Sequence, residues 1–278
     1  MRVLITGAGG QLGRALTARF ADHEVVPLTR HDLDVQEREA VLALAAARPD
    51  LILHAAAMTD VDGCEQQPER AYAINMLGTR HLAHLAQRLD VPLLYVSSDY
   101  VYDGHKDGLY WEWDATNPLS VYARSKLAGE YEVRSLLTRF YIVRTAWLYG
   151  PGGNNFPRKM LALSARHPSL RVVTNEAGHP TYTPHLADAI YRLVEREAYG
   201  LYHLVNEGCV SRFEFARAIF VAAGQSDYPI EPTDSYPRAA TPPARVALST
   251  AAARRVGAGL PPWQDGLAAW VAAEGMQA

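Results

Sequence analysis

The chain has 278 residues, of which 49% are hydrophobic and 21% charged, and this composition is typical of a globular protein with a sizeable core. The 30 acidic and 27 basic residues give a net charge of −3 without a long run of either sign, so we expect no nucleic-acid partner and no membrane-surface patch. No apolar stretch approaches the roughly 20 residues that span a bilayer, and the two isolated cysteines predict a reducing cytoplasm rather than a disulfide framework.

The first half alternates short apolar runs with helical patterns, which is typical of a parallel α/β sheet. The predicted strands are Arg2–Thr6, Glu24–Leu28, Leu51–His54, 93–97 and 141–145. The predicted helices are Gln11–Arg19, 37–47, 68–89 and 121–137, the last capped by Ser120. This order predicts an α/β fold with a Rossmann-type doubly wound parallel sheet.

The second half has a different texture, because glycine and proline interrupt it from Pro151 onward and residues 228–245 are rich in proline. We predict mostly loop for residues 228–245. We expect residues 1–150 to form an NAD(P)-binding Rossmann domain and residues 151–278 to form a smaller C-terminal substrate lobe. Some segments of that lobe should return to the main domain.

A glycine cluster lies between the first predicted strand and the first predicted helix, where Gly7, Gly10 and Gly13 are spaced as G-x-x-G-x-x-G. Glycine permits a tight turn and lets the backbone approach a pyrophosphate, which then meets the positive end of the helix. The cluster therefore predicts dinucleotide binding, with a purely structural turn as the alternative.

The segment Thr29-Arg30-His31, after the second predicted strand, bears on the choice of dinucleotide. A carboxylate there would bind the adenosine ribose hydroxyl, whereas a cation favours a 2′-phosphate. Arg30 in this place favours NADP(H) over NAD(H), although a solvated arginine is the alternative. Asp34 and Val35 follow closely and could pack near the adenine.

Tyr122 and Lys126 stand at i and i+4 on one face of a predicted helix. A free tyrosine has a pKa near 10, and a neighbouring ammonium favours its phenolate. A second Tyr-x-x-x-Lys match, Tyr102 and Lys106, contains Gly104 in a polar, turn-like stretch, so these two side chains need not share a helical face. We therefore favour Tyr122 and Lys126 as the catalytic pair.

A hydroxyl near this pair is expected from Ser98, at the end of a predicted strand, where ligands meet open α/β sheets. Such a hydroxyl can hydrogen-bond a substrate carbonyl beside the tyrosine. Asn75, on the long helix, could hold an ordered water or active-site backbone, or could serve helix packing alone.

Several segments of the chain resemble the dTDP-4-dehydrorhamnose reductase family, within the extended short-chain dehydrogenase/reductase superfamily. The resemblance rests on residues 10–13, 55–62, 97–104, 118–122, 126–130, 144–149 and 153–156. It extends nearly to the end of the chain, at residues 262–264. The Ser-Ser-Asp-Tyr-Val run at 97–101 and the segment around Trp147 are more specific than the Tyr/Lys pair, which marks only the superfamily.

The resemblance implies an NAD(P)H-dependent oxidoreductase that reduces the C4 ketone of dTDP-4-dehydro-6-deoxy-L-mannose to dTDP-L-rhamnose. It implies that Tyr122 protonates the alkoxide, that Ser98 polarises the carbonyl and that Lys126 lowers the Tyr122 pKa. With the glycine loop and Arg30, the expected cofactor-binding residues are Gly7, Gly10, Gln11, Leu12, Gly13, Arg30, Asp34, Val35, Ala55, Ala57, Met58, Thr59, Tyr122 and Lys126. The expected substrate-binding residues are Ser98, Asp99, Trp147 and Asn155.

The chain also departs from the family pattern. Some members carry a glutamate in the first helix that helps to bind a dimer-bridging Mg²⁺, whereas this chain has Ala15 there. We therefore expect no metal, and a homodimer is left open. The common Arg-Pro-x-x-Ser-x-Leu pattern lacks its arginine and serine, since Pro242 and Val246 stand in their places.

Other functions stay open at this point. A sugar-nucleotide 4,6-dehydratase would use an Asp-Glu pair, and Tyr100 follows Asp99 instead. A nucleotide-sugar 4-epimerase shares the tyrosine and lysine but keeps its cofactor through a full cycle. A non-catalytic reductase-like regulatory subunit, such as the one associated with methionine adenosyltransferase, would bind NADP(H) without turnover.

Overall fold

The computed structural model describes residues 1–275, so the last three residues of the predicted lobe lie outside the described residues. The strands are β1 (Arg2–Thr6), β2 (Glu24–Leu28), β3 (Leu51–His54), β4 (Leu93–Ser98), β5 (Phe140–Thr145), β6 (Leu148–Tyr149), β7 (Leu170–Val173), β8 (Ala177–Gly178), β9 (Thr181–Tyr182), β10 (Gly200–His203), β11 (Val210–Ser211) and β12 (Ile230–Thr233). The α-helices are α1 (Gln11–Arg19), α2 (Arg38–Ala43), α3 (Val61–Gln66), α4 (Pro68–Tyr72), α5 (Gly78–Leu89), α6 (Val121–Leu136), α7 (Phe156–Ser164), α8 (Thr183–Glu195), α9 (Arg212–Ala222), α10 (Ala251–Arg255) and α11 (Trp263–Ala273). Among these described helices, none is both long and apolar enough to cross a membrane.

Six parallel strands form the main sheet in the order β10-β5-β4-β3-β1-β2. The chain pairs β2 on one side of β1 and then β3 on the other side, so the strand order reverses between β1 and β3. Such a switch point leaves a crevice at the carboxyl ends of the strands, where ligands bind. The predicted Rossmann-type doubly wound parallel sheet is confirmed.

Both faces of the sheet are covered, because successive side chains of a strand point to opposite faces. In β1, Val3 and Ile5 belong to one buried cluster with residues of α1 and α8. Leu4, between them, belongs to a second cluster with residues of α5 and α6. Burial on both faces explains why the strands read as nearly continuous apolar runs.

The second half of the chain contributes both to the main sheet domain and to a separate cluster of helices. The late strand β10 pairs with β5 at one edge of the main sheet, and α8 packs against α1. A separate cluster centred on Tyr149, Phe215 and Trp270 lies among α7, α9 and α11. The domain boundary at residue 150 stays a prediction.

The structure refines several predicted elements. The predicted helix 37–47 is α2 followed by a 3₁₀ turn at Leu44–Ala47, and the predicted helix 68–89 is α4 and α5 joined by a π turn at Ala73–Leu77. Residues 228–245 contain β12 within the predicted loop. The short helix α3 was not predicted from the sequence: the exposed Asp60 carboxylate accepts a hydrogen bond from the Gly63 N–H at 3.1 Å and caps it.

Candidate active site

The turn between β1 and α1 is built so that only glycine fits at two of its positions. Gly7 has a φ of +71°, and a Cβ there would lie 2.6 Å from the Ala56 nitrogen. A Cβ on Gly13 would lie 2.1 Å from the Gly7 carbonyl oxygen. No side chain caps the first turn of α1, so its N–H groups stay available to an anion. The loop therefore fits the pyrophosphate of a dinucleotide.

At the end of β2 the crevice carries two arginines, Arg30 and Arg70, of which the sequence predicted only the first. Asp34 accepts hydrogen bonds from the backbone N–H of Gln36 at 3.0 Å and from its side-chain amide. The backbone hydrogen bond holds the pKa of Asp34 below its ordinary value, so the carboxylate is ionised at neutral pH.

Asn75 fixes the backbone that follows β3. Its side-chain oxygen accepts a hydrogen bond from the Met58 N–H at 2.8 Å, and its nitrogen donates to the Met58 carbonyl at 3.1 Å. The same nitrogen donates to the Ser125 hydroxyl at 2.9 Å on α6. Of the roles left open by the sequence, holding the active-site backbone is the one that the structure shows.

Ser98, Tyr122 and Lys126 face one cavity, although they come from β4 and α6. The Ser98 hydroxyl ends β4, accepts a hydrogen bond from the Tyr100 N–H at 3.2 Å and donates to the Asp99 carboxylate at 3.0 Å. The side chain of Ser120 accepts from the Ala123 N–H and starts α6, as predicted, so the helix presents the tyrosine and the lysine one turn apart.

Burial governs the proton affinities in this cluster. It raises the pKa of Tyr122 above its ordinary value, while the Ser98 hydroxyl acts in the opposite direction. It lowers the pKa of Lys126 to about 7, although the nearby Glu130 carboxylate favours the ammonium. Burial also raises the pKa of Asp99 to about 7. The phenol is thus protonated at neutral pH, which suits a proton donor.

A buried ion pair lies beneath the catalytic end of α6. The Glu130 carboxylate accepts from Arg144 Nε at 2.9 Å and from Arg144 Nη2 at 2.7 Å. It also accepts from the Ser97 hydroxyl at 2.5 Å, next to Ser98 in β4. The pair therefore ties α6, β4 and β5 together directly behind the cavity.

The competing Tyr102 and Lys106 pair does not form a site. The Tyr102 hydroxyl contacts Arg144 Nη1 at 2.6 Å and His203 Nε2 at 2.9 Å, in the buried network behind the cavity. Lys106 pairs instead with Asp114. Of the two Tyr-x-x-x-Lys matches, only Tyr122 and Lys126 both line the cavity, and their catalytic role stays a prediction.

Trp147 and Arg212 also line the cavity. Trp147 has a φ of +44°, a left-handed conformation that is uncommon for a large side chain. Its indole lies so close to β8 that a Cβ on Gly178 would be 2.9 Å from Trp147 Cε2. The Arg212 guanidinium carbon lies 3.5 Å from the indole ring centre. Such a site, with a strained residue held by its neighbours, is characteristic of ligand-binding positions.

The cavity has a volume of about 630 Å³ and brings together nearly all of the predicted residues. Its wall includes Gly7, Gly10, Gln11, Leu12, Gly13, Arg30, Asp34, Val35, Ala55, Ala57, Met58, Thr59, Ser98, Asp99, Tyr122, Lys126 and Trp147. Asn155 does not line it: its amide donates to Gln11 Oε1 at 3.1 Å and to the Gly150 carbonyl at 2.9 Å, and its oxygen caps α7. A direct substrate contact from Asn155 is therefore not supported.

Two cations that line the cavity, Arg70 and Arg212, were not predicted from the sequence. Each lies on a helix whose local pattern is that of an ordinary exposed surface, so no motif marked either one. Within residues 1–275, no cluster of three or more histidine, cysteine, aspartate or glutamate side chains is placed to hold a metal ion.

Comparison with known proteins gives a consistent result. A family model described as the RmlD substrate binding domain matches residues 1–276. A dTDP-4-dehydrorhamnose reductase from Aggregatibacter actinomycetemcomitans is 41% identical over 229 residues, which cover 79% of this chain and 78% of that protein.

Solved structures agree over the full length. A dTDP-4-dehydrorhamnose reductase from Clostridium acetobutylicum has a TM-score of 0.95 at 35% identity and covers 99% of this chain and 100% of its own. The enzyme of that name from Bacillus anthracis, in complex with NADP, has a TM-score of 0.94 at 35% identity and covers 98% of each chain.

Proposed function

The chain belongs to the RmlD substrate binding domain family, and from this premise we propose that it is an NAD(P)H-dependent dTDP-4-dehydrorhamnose reductase. It reduces the C4 ketone of dTDP-4-dehydro-6-deoxy-L-mannose and yields dTDP-L-rhamnose. The relatives that carry this name match most of the chain, and one of them was solved with NADP.

The observation that carries the proposal is a single crevice with a dinucleotide end and a chemical end. The glycine loop of β1 and α1 lies at the first, and Ser98, Tyr122 and Lys126 lie at the second. A carbonyl reductase needs both in one continuous space, because the reductant and the proton donor must reach the same carbonyl group.

The division of labour among the side chains follows from their chemistry. A bound dihydronicotinamide supplies the hydride. We infer that, when substrate binds, the Ser98 hydroxyl turns its one hydrogen from Asp99 to the ketone oxygen. The Tyr122 phenol then donates the proton to that oxygen. Lys126 stabilises the phenolate that remains and, through its ammonium, positions ribose hydroxyls of the cofactor.

The end of the crevice near β2 favours NADPH as the reductant, with NADH as the alternative. Arg30 and Arg70 both line it, and two guanidinium groups suit a 2′-phosphate better than a bare hydroxyl. Asp34 also lines this end, but the Gln36 side chain occupies its carboxylate oxygens.

A coupled assay tests the function directly. Purified enzyme is mixed with dTDP-4-dehydro-L-rhamnose, generated in place, and oxidation of added NADPH or NADH is followed by absorbance. We expect net oxidation of one equivalent of cofactor per ketone, with a lower KM for NADPH.

The alternatives predict other results. An epimerase would interconvert sugars without net oxidation of the added cofactor. A regulatory subunit would bind NADPH without turnover. The cytoplasmic location stays a prediction, and sedimentation analysis of the purified protein tests the homodimer that the sequence left open.

A further inference from the structure

Arg212 is the first residue of α9, and its side chain reaches the wall of the active-site cavity. Its guanidinium carbon lies 3.5 Å from the centre of the Trp147 indole and 5.2 Å from the Phe156 ring. The side chain is 18% exposed, so the charge is largely removed from bulk water. Stacking on aromatic rings fixes the plane of the guanidinium.

The guanidinium donates no hydrogen bond within the part of the chain that the structure describes. Its nearest carboxylate is Glu176, with Arg212 Nε and Glu176 Oε2 3.8 Å apart, too far for a hydrogen bond. The other oxygen of Glu176 accepts a hydrogen bond from Arg238. The five N–H donors of this largely buried cation are therefore free to bind water or the acceptor oxygens of a ligand in the cavity.

The distribution of positive charge along the cavity indicates which class of ligand Arg212 suits. The described wall contains four cations: Arg30, Arg70, Lys126 and Arg212. The first two lie at the dinucleotide end and Lys126 lies beside Tyr122, which leaves Arg212 for the side of Trp147. A nucleotide sugar whose ketone lies beside Tyr122 would carry its diphosphate further along the cavity, and a planar guanidinium matches phosphate oxygens with paired hydrogen bonds.

We propose that Arg212 binds the diphosphate of the nucleotide-sugar substrate, with its guanidinium held in position by the Trp147 indole. The proposal rests on the proposed function for the identity of the substrate. It makes Arg212 a determinant of specificity for diphosphate-linked sugars over free keto sugars, while the transfer of hydride and proton stays with the groups around Tyr122.

The test compares Arg212→Met, which keeps an unbranched apolar side chain against Trp147, with Arg212→Lys, which keeps a charge but not the paired donors. Arg217→Met is the matched control, because Arg217 is exposed on the same helix and does not line the cavity. The measurements are KM for the keto sugar, kcat, the dissociation constant of dTDP by calorimetry and that of NADPH by fluorescence.

We expect Arg212→Met to raise both KM and the dTDP dissociation constant by roughly 10- to 100-fold, the value of a charged hydrogen bond. Its kcat and NADPH affinity should stay within about threefold of the parent, Arg212→Lys should be intermediate, and Arg217→Met should be unchanged. A dTDP affinity for Arg212→Met within about twofold of the parent would overturn the proposal. A parallel loss of NADPH affinity would also overturn it, since that result would show a general structural role.

The calorimetric measurement keeps this proposal separate from the proposed reaction. Parent protein that binds dTDP through Arg212 but does not oxidise NADPH with the keto sugar would refute the proposed reaction and support the anion site. If the parent protein turns over normally and Arg212→Met binds dTDP as well as the parent does, the proposed reaction is supported and the anion site is refuted.

Discussion

Removing Glu130 should destabilise the protein more than almost any other single change of a charged residue. Its side chain has 0% exposure and that of Arg144 has 3%, and two hydrogen bonds of 2.9 and 2.7 Å join them. Glu130→Leu leaves the guanidinium buried without a counter-charge. Breaking such a pair from one side costs about 3–5 kcal/mol, a large part of the 5–15 kcal/mol that folding typically provides.

The assay is urea denaturation followed by far-ultraviolet circular dichroism. The double variant Glu130→Leu/Arg144→Met should recover most of the loss, because it leaves no isolated charge in the interior. Glu39→Ala, which removes one partner of an exposed pair with Arg38, is the control and should leave the midpoint unchanged. A loss below about 1 kcal/mol for Glu130→Leu, or a double variant no more stable than the single one, would refute the reasoning.

Three further predictions concern the site. Tyr122→Phe should lower kcat at least about 100-fold, which is the contribution of a general acid. The control Tyr131→Phe, on the exposed side of α6, should leave kcat unchanged. Near-parent turnover by Tyr122→Phe would exclude Tyr122 as the proton donor. Because burial lowers the pKa of Lys126 to about 7 from 10.5, the unfolded chain binds that proton more tightly, and this group makes the free energy of unfolding rise between these pH values. Lys126→Met should reduce that rise, measured by urea titrations at pH 7 and 9, and an identical rise in both proteins would contradict the lowered pKa of Lys126. Gly13→Ala should lower the melting temperature and the NADPH affinity, because its Cβ would lie 2.1 Å from the Gly7 oxygen. The control Gly9→Ala, whose Cβ has its closest contact at 3.6 Å, should melt like the parent. Equal melting temperatures of the two variants would contradict this prediction.

Local patterns were sufficient for five of the six strands of the central sheet, all except β10, and for much of the crevice. An apolar run next to glycines predicts β1, its turn and α1 because these features depend on residues close in sequence. Tyr122 and Lys126 are likewise set by one helical turn, and Ser98 by the end of one strand. The crevice then follows from the switch point, which depends only on the order of elements.

Features that depend on distant partners were not predictable in this way. Arg212 reaches the cavity because α9 packs beside Trp147, far away in sequence, and no local spacing encodes that contact. Asn155 lies in a segment that resembles the family, yet its amide is used to cap α7 and to hold the neighbouring turn. The helix α3 was missed because a short helix capped by Asp60 has the composition of a polar loop.

The pairing of β10 with β5 has a consequence for how the protein is made. During synthesis β5 is made before Gly200–His203. Until β10 has been made and has paired with it, the backbone N–H and C=O groups at the outer edge of β5 lack a strand partner. A gene fragment ending at residue 150 would make that temporary state permanent and would yield a protein with an open, aggregation-prone sheet edge. Residues 1–150 therefore should not be expressed as an isolated domain, because β10, the edge strand of their sheet, lies later in the chain than the segment that contains Trp147.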